Sequence, residues 1–167
     1  EAQCAALLQR LRESGIEQLR VGWCDLHGQL RSKTLVCGGE ADAVAEALQG
    51  GVGMVSTVLL KDSADRTAFK VFEPGTWQAQ SALRGFGAAN NVLLLPDPAS
   101  FVPLPWAPGT GWLRAEPYWG DGAAVAACPR RVLQEALARL QKMGLGLRCG
   151  LEVEFHIYRI VDNTLAP

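Results

Sequence analysis

Residues 147–158 read Leu-Arg-Cys-Gly-Leu-Glu-Val-Glu-Phe-His-Ile-Tyr. Odd positions carry Leu147, Cys149, Leu151, Val153, Phe155 and Ile157, while even positions carry Arg148, Gly150, Glu152, Glu154, His156 and Tyr158. In extended backbone successive side chains point to opposite faces, so this alternation predicts a strand with one apolar face and one chemical face. Glu152 and Glu154 then stand side by side, about 6 to 7 Å apart along the chain. Carboxylates so close repel unless a cation, a proton or a basic group lies near them. Hard divalent ions such as Mg²⁺ and Mn²⁺ take this kind of oxygen ligand and would bridge it to the phosphates of a nucleotide. A solvated strand face with two glutamates alternates in the same way. His156 shares the face and invites a Glu-Glu-His triad, although a lone His beside acids is more often a surface side chain than a ligand.

Working back from this segment, Pro129 to Met143 reads as a helix. Pro129 suits the first turn, Val132, Leu133, Ala136, Leu137 and Leu140 make one apolar face, and Gly144 can close the end. Ahead of it, Trp112 to Trp119 is a candidate strand. Pro103, Pro105, Pro108, Gly109 and Gly111 crowd the preceding stretch, which is the best linker candidate in the chain. Val92 to Leu95 reads as a short buried strand closed by Pro96-Asp97-Pro98. Residues 61–90 lack sustained periodicity and read as a long loop. Met54 to Leu60 is a further strand candidate, and the Ala-rich Glu40 to Leu48 reads as a helix ending at Gly50-Gly51.

Nearer the N-terminus, Leu19, Val21 and Trp23 alternate with Arg20 and Gly22, and a second run continues through Leu30, Ser32, Thr34 and Val36. This predicts a β-hairpin turning at His27-Gly28, with glycine supplying the positive φ. Such a turn sets Cys24 opposite about Arg31, so Cys24 and Cys37 are not cross-strand neighbours. Residues 2–12 place Cys4, Leu7, Leu8 and Leu11 at helical spacing before Gly15, predicting a short opening helix.

Composition limits the function classes. The chain has 167 residues, 49% of them apolar and 20% charged, with 16 Lys plus Arg against 17 Asp plus Glu and a formal net charge of −1. Those proportions suit a globular chain that buries a core, and exclude a disordered charged tail. Near-neutral charge leaves no general attraction for nucleic acid or an anionic membrane surface. Apolar runs such as Val92 to Leu95 are far too short to span a bilayer, and no signal-peptide order opens the chain, so a cytoplasmic location is expected. The five cysteines, Cys4, Cys24, Cys37, Cys128 and Cys149, have no CxxC spacing and read as reduced thiols. Residue 1 is Glu, which suggests that the natural start lies elsewhere.

Other motifs are weaker. Gly50-Gly51-Val52-Gly53 and Gly109-Thr110-Gly111 lack the GxxxxGK[ST] arrangement and read as turns rather than phosphate cradles. Arg130 and Arg131 at a helix start could hold an anion or stand as solvated charge. With His27 in a turn and His156 the only other histidine, no Ser-His-Asp or Cys-His arrangement supports covalent catalysis.

Taken in order, Val21 to Lys33 (VGWCDLHGQLRSK), Asn91 to Asp97 (NVLLLPD), the Pro129-Arg130 helix start and Gly150 to Phe155 (GLEVEF) resemble the glutamine synthetase family. These are the ATP-dependent ligases that join ammonia or another amine to the γ-carboxylate of glutamate. The resemblance runs from about Leu19 onward, and G-x-E-x-E-F is its most specific motif. It implies an α+β fold, with a β-grasp N-terminal domain over residues 1–108 and the first helix and strand of a catalytic domain over 109–167. It implies that Glu152 and Glu154 bind divalent metal, Mg²⁺ or Mn²⁺, with ATP as co-substrate and γ-glutamyl phosphate as the intermediate. The position of His156 is not a family metal ligand.

The resemblance further implies self-association into a ring-shaped homo-oligomer in the full-length protein. The family's ATP- and glutamate-binding residues should lie beyond Pro167, so this chain alone is expected to be inactive. Many bacterial members carry an Asp-Gly-Ser-Ser-type loop that helps bind ammonium. The corresponding region here, near Phe72 to Gln78, has no such motif, so a larger amine is an open alternative to ammonia. Two other readings stay open: a γ-glutamyl-polyamine or related amine ligase, and a non-catalytic β-grasp interaction module that pairs through its sheet.

Overall fold

The computed structural model describes residues 2–38, 43–67, 85–86, 90–159 and 161. Helix α1 (Ala2–Glu13) buries Leu7 and Leu11, one turn apart on a single face. It ends as Gly15 predicts. Gly15 takes φ +62°, and the Ile16 N–H returns to the Leu11 carbonyl at 3.2 Å, which closes the last turn and packs Ile16 beside Leu11.

The hairpin follows as β1 (Gln18–Cys24) and β2 (Leu30–Val36), antiparallel, with Gly28 at φ +75°. Cys24 faces Leu30, one residue from the expected register, and all five cysteines are free. The turn is held by Asp25. Its carboxylate accepts the His27 and Gln29 amides at 2.9 and 3.0 Å and Arg31 Nε at 2.7 Å, while the residue is only 2% exposed. Burial alone would raise the pKa of this group. The Arg31 guanidinium and the Gln29 and His27 amides outweigh that and hold it below the usual Asp value.

Helix α2 (Ala43–Gly50) buries Val44 and Ala47. The run after it splits: β3 covers Val52–Val55, and Ser56–Leu60 is a 3-10 helix rather than the continuing strand expected over Met54 to Leu60. Ser56, Leu59 and Leu60 are the buried positions of that segment, a helical rather than an alternating spacing. Of the expected long loop, residues 61–67, 85–86 and 90 are described. The hairpin tip docks on the first of these, His27 Nε2 lying 2.7 Å from the Lys61 carbonyl. Strand β4 (Asn91–Pro96) and β5 (Val102–Pro103) lead to β6 (Thr110–Tyr118).

Together these make a six-stranded sheet in the order β2-β1-β6-β4-β3, with β5 also on β6. Strand β6 runs parallel to β1 from Gln18 opposite Thr110, and antiparallel to β4 and β5. Residues 104–109 thus form the turn that joins β5 to β6 within the sheet. The Leu104 N–H donates to the Thr110 carbonyl at 2.9 Å and the Thr110 N–H to the Ala107 carbonyl at 3.0 Å. Its prolines bend β5 back into β6, and a division at Pro108 would fall between these paired strands.

One face of the sheet carries the core. Val21, Trp23, Met54, Val92, Leu94 and Ala115 pack with Leu59, Leu60, Phe86 and Val125, and next to them Leu19 and Leu113 pack with α1, Val44 and Phe101. Alternation sends Gly22, Trp112, Arg114, Glu116 and Tyr118 to the other face. There the Trp112 indole lies over Gly22, where any Cβ would fall 2.8 Å from Trp112 Cε2.

Helix α3 (Pro129–Lys142) leaves from this second face and closes at Gly144 with φ +72°, the Leu145 N–H donating to the Leu140 carbonyl at 2.9 Å. No residue of α3 is buried. The strand expected over Leu147 to Tyr158 makes no ladder among the described residues. Leu151, Phe155 and Ile157 stand 91%, 74% and 87% exposed. A strand takes its hydrogen bonds from a neighbour, so alternation without a paired strand leaves an exposed apolar row. No helix among the described residues is long and apolar enough to cross a membrane.

Candidate functional site

The carboxylate pair lies ten residues and more beyond the last residue of α3. Glu152 and Glu154 are exposed, as is His156, whose ring sits 6.1 Å from that of Tyr158. The donor chemistry of the pair, carboxylate oxygens, is the kind that hard cations take. Among the described residues no group of three or more His, Cys, Asp or Glu converges on a common point, so His156 does not join Glu152 and Glu154 in a cluster of three. If a divalent cation is held here, Glu152 and Glu154 are its ligands. Bound there, it would supply charge neutralisation for phosphoryl oxygens.

The two arginines at the start of α3 meet an anion of the chain's own. Glu116 of β6, itself half-buried, accepts Arg130 Nε at 3.1 Å through one oxygen and Arg131 Nη2 at 3.1 Å through the other. Gln134 Nε2 adds a third contact to Glu116 at 3.3 Å. Arg131 also donates to the Tyr118 hydroxyl at 2.6 Å and lies 5.1 Å over that ring. Both guanidinium groups are tied to the sheet through Glu116, although Arg130 stays 41% exposed. The reading of the sequence passed over Glu116 because it looked only like one polar position in an alternating strand. The available signal was Glu116 and Tyr118 on one face, followed by two adjacent arginines at a helix start.

The remaining candidates are structural. Gly51 and Gly109 take φ +79° and +73° in turns, and Gly111 lets Phe101 pack against the sheet. A cavity of about 720 Å³ lined by Phe86, Asn90, Asn91, Trp119 and Asp121 does not include Glu152 or Glu154. The Phe72 to Gln78 region lies outside the described residues.

No family model matches the chain. It is, however, 30% identical over 161 residues to γ-glutamylanilide synthase of Acinetobacter sp, covering 96% of this chain and 31% of that protein. It is 30% identical over 144 residues to γ-glutamylethanolamide synthetase GlnA4 of Streptomyces coelicolor, covering 86% of this chain and 29% of the relative. A glutamine synthetase of Rhizobium meliloti matches at 27% identity over 87% of the chain and 27% of its own length. The chain resembles glutamine synthetases and γ-glutamyl amide synthetases over most of its own length. A solved GmaS–ADP complex agrees in fold, with a TM-score of 0.57 and 28% identity over 82% of this chain and 26% of that one. The mixed α+β architecture around one sheet is shared with that structure. The chain spans about a third or less of the length of the curated relatives it matches.

Proposed function

We propose that the chain forms the opening portion of an ATP-dependent ligase that joins an amine to the γ-carboxyl of glutamate. The observation that carries this is similarity over nearly the whole chain to proteins named for making γ-glutamyl amides. In this reading the sheet with α1 and α2 is the β-grasp N-terminal domain, extended past Pro108 to take in β6, and α3 with the segment after it opens the catalytic domain. Glu152 and Glu154 hold the divalent metal. Electrostatic neutralisation of a transferring phosphoryl group by such ions is the standard physical route to acyl activation with ATP. The full-length protein is a ring-shaped homo-oligomer of cytoplasmic location, which light scattering on that protein tests by its mass.

An amine larger than ammonia is favoured as acceptor, because the relatives cited first are named for anilide and ethanolamide products. The test is made on the full-length ligase with ATP, glutamate and a panel of ammonia, ethanolamine, aniline and a polyamine. Phosphate release should be fastest with one of the organic amines, and a rate highest with ammonia overturns the acceptor assignment. Glu152→Gln and Glu154→Gln should each weaken the Mn²⁺ titration at least about tenfold, the scale of losing a ligand or its orienting partner. An unchanged titration and rate in both variants overturns the metal assignment.

A further inference from the structure

Helix α3 connects the sheet to the carboxylate segment, and its attachment has two parts of different kinds. The first is an apolar pivot just before the helix. Val125 and Cys128 are buried at 0% and 3% exposure, with the Val125 N–H on the Pro117 carbonyl and the Cys128 N–H on the Val125 carbonyl. A rod fixed only there can swing. The second is polar and lies on one flank of the first turn and a half, where Arg130, Arg131 and Gln134 reach the single carboxylate of Glu116 and Arg131 also reaches Tyr118. The helix has no buried residue to set its direction, and Val132, Leu133 and Leu137 of its apolar row remain exposed.

We propose that Glu116 is a positioning residue: it fixes the direction in which α3 leaves the sheet, and thereby where the Glu152–Glu154 pair stands relative to the N-terminal domain. This rests on the ligase reading for its catalytic consequence, but not for its geometry. The physics is that two adjacent guanidinium groups repel, and one carboxylate that accepts from both, through separate oxygens, converts that repulsion into a two-point hold. Replacing the carboxylate by the neutral amide of Gln removes the charge, and one of the two acceptors becomes a donor facing a guanidinium. The helix then keeps its pivot and loses its direction.

Two measurements test this. In the 167-residue chain, nitroxide labels on Cys24 of β1 and on an A138C substitution in α3, with Cys4, Cys37 and Cys149 replaced by Ser, report the sheet-to-helix distance. Glu116→Gln should broaden or shift that distribution, and an unchanged one overturns the proposal. If Glu116→Gln loses its near-ultraviolet circular dichroism, Arg131→Gln cuts the same hold from the helix side and is read by the same two results. In the full-length ligase, Glu116→Gln should lower kcat at least about tenfold while KM for glutamate stays within about threefold and Mn²⁺ still binds. A general loss of folding would not produce that split. Normal kcat in Glu116→Gln beside a dead Glu152→Gln overturns the positioning role and leaves the ligase reading standing. A shifted label distance, with Glu152→Gln and Glu154→Gln both leaving the Mn²⁺ titration and the rate unchanged, overturns the metal reading and the catalytic half of the proposal, and upholds the hold on the helix.

Discussion

Removing the Asp25 side chain is expected to destabilise the chain through the β1–β2 turn. Asp25 accepts two turn amides and the Arg31 guanidinium while 2% exposed, so Asp25→Ala leaves three donors without their acceptor. The amides belong to exposed His27 and Gln29, where water can replace the carboxylate, and Arg31 is 34% exposed. Those exposures reduce a raw sum of about 4 kcal/mol, taking about 1 for each amide and about 2 for the charged bond, to about 2 to 3 kcal/mol. For a chain of this size that is a fall in Tm of about 5 to 10 °C. The pH dependence has a definite sign. The folded carboxyl titrates below its ordinary value, so its contribution is complete above about pH 4 and is lost as pH falls through the lower folded value. Thermal melts by circular dichroism at pH 7 and at about pH 2 should therefore show a wide gap between wild type and Asp25→Ala that narrows in acid. Equal melting at pH 7, or a gap of the same size at both pH values, would refute the reasoning.

Gly22→Ala should cost about 1 to 3 kcal/mol in urea unfolding, because the new Cβ meets the Trp112 indole between two paired strands and neither can move far. A midpoint equal to wild type would mean that the ring is not seated there. The exposed apolar row of residues 151–157 should bind a hydrophobic dye such as ANS. Phe155→Lys with Ile157→Lys should reduce that fluorescence by about half or more while Tm moves by less than about 1 °C, since neither side chain is packed. Undiminished fluorescence in the double variant would assign the dye to another surface.

Elements whose signals are local were legible in the sequence. Helices α1 and α3 are set by apolar spacing closed by Gly15 and Gly144, and the hairpin by two alternating runs around Gly28. The fates of other segments depended on partners far along the chain. Strand β6 is central only because β1, some ninety positions earlier, lies parallel to it, and no local signal encodes that pairing. For the same reason the prolines of 103–111 looked like a linker: a proline-rich turn has the same composition whether it joins two domains or two strands of one sheet. Ser56–Leu60 contains the β-branched residues of a strand, and the buried positions Ser56, Leu59 and Leu60 chose a helical spacing instead.

By itself, then, the sequence determined the α+β class, the hairpin, helices α1 and α3, the resemblance to glutamine synthetases, and Glu152 and Glu154 as the carboxylates to test. These depend on residue order over a few positions, or on a motif, G-x-E-x-E-F, that is read without coordinates. Only the tertiary structure decided that Arg130 and Arg131 are held by Glu116, that Asp25 is the buried anchor of the hairpin, and that the alternating segment 147–158 stands unpaired. Each of those depends on which charge or which strand lies across the fold. The Coulomb and hydrogen-bond energies involved fall off within a few ångströms in space and carry no mark in the order of residues along the chain.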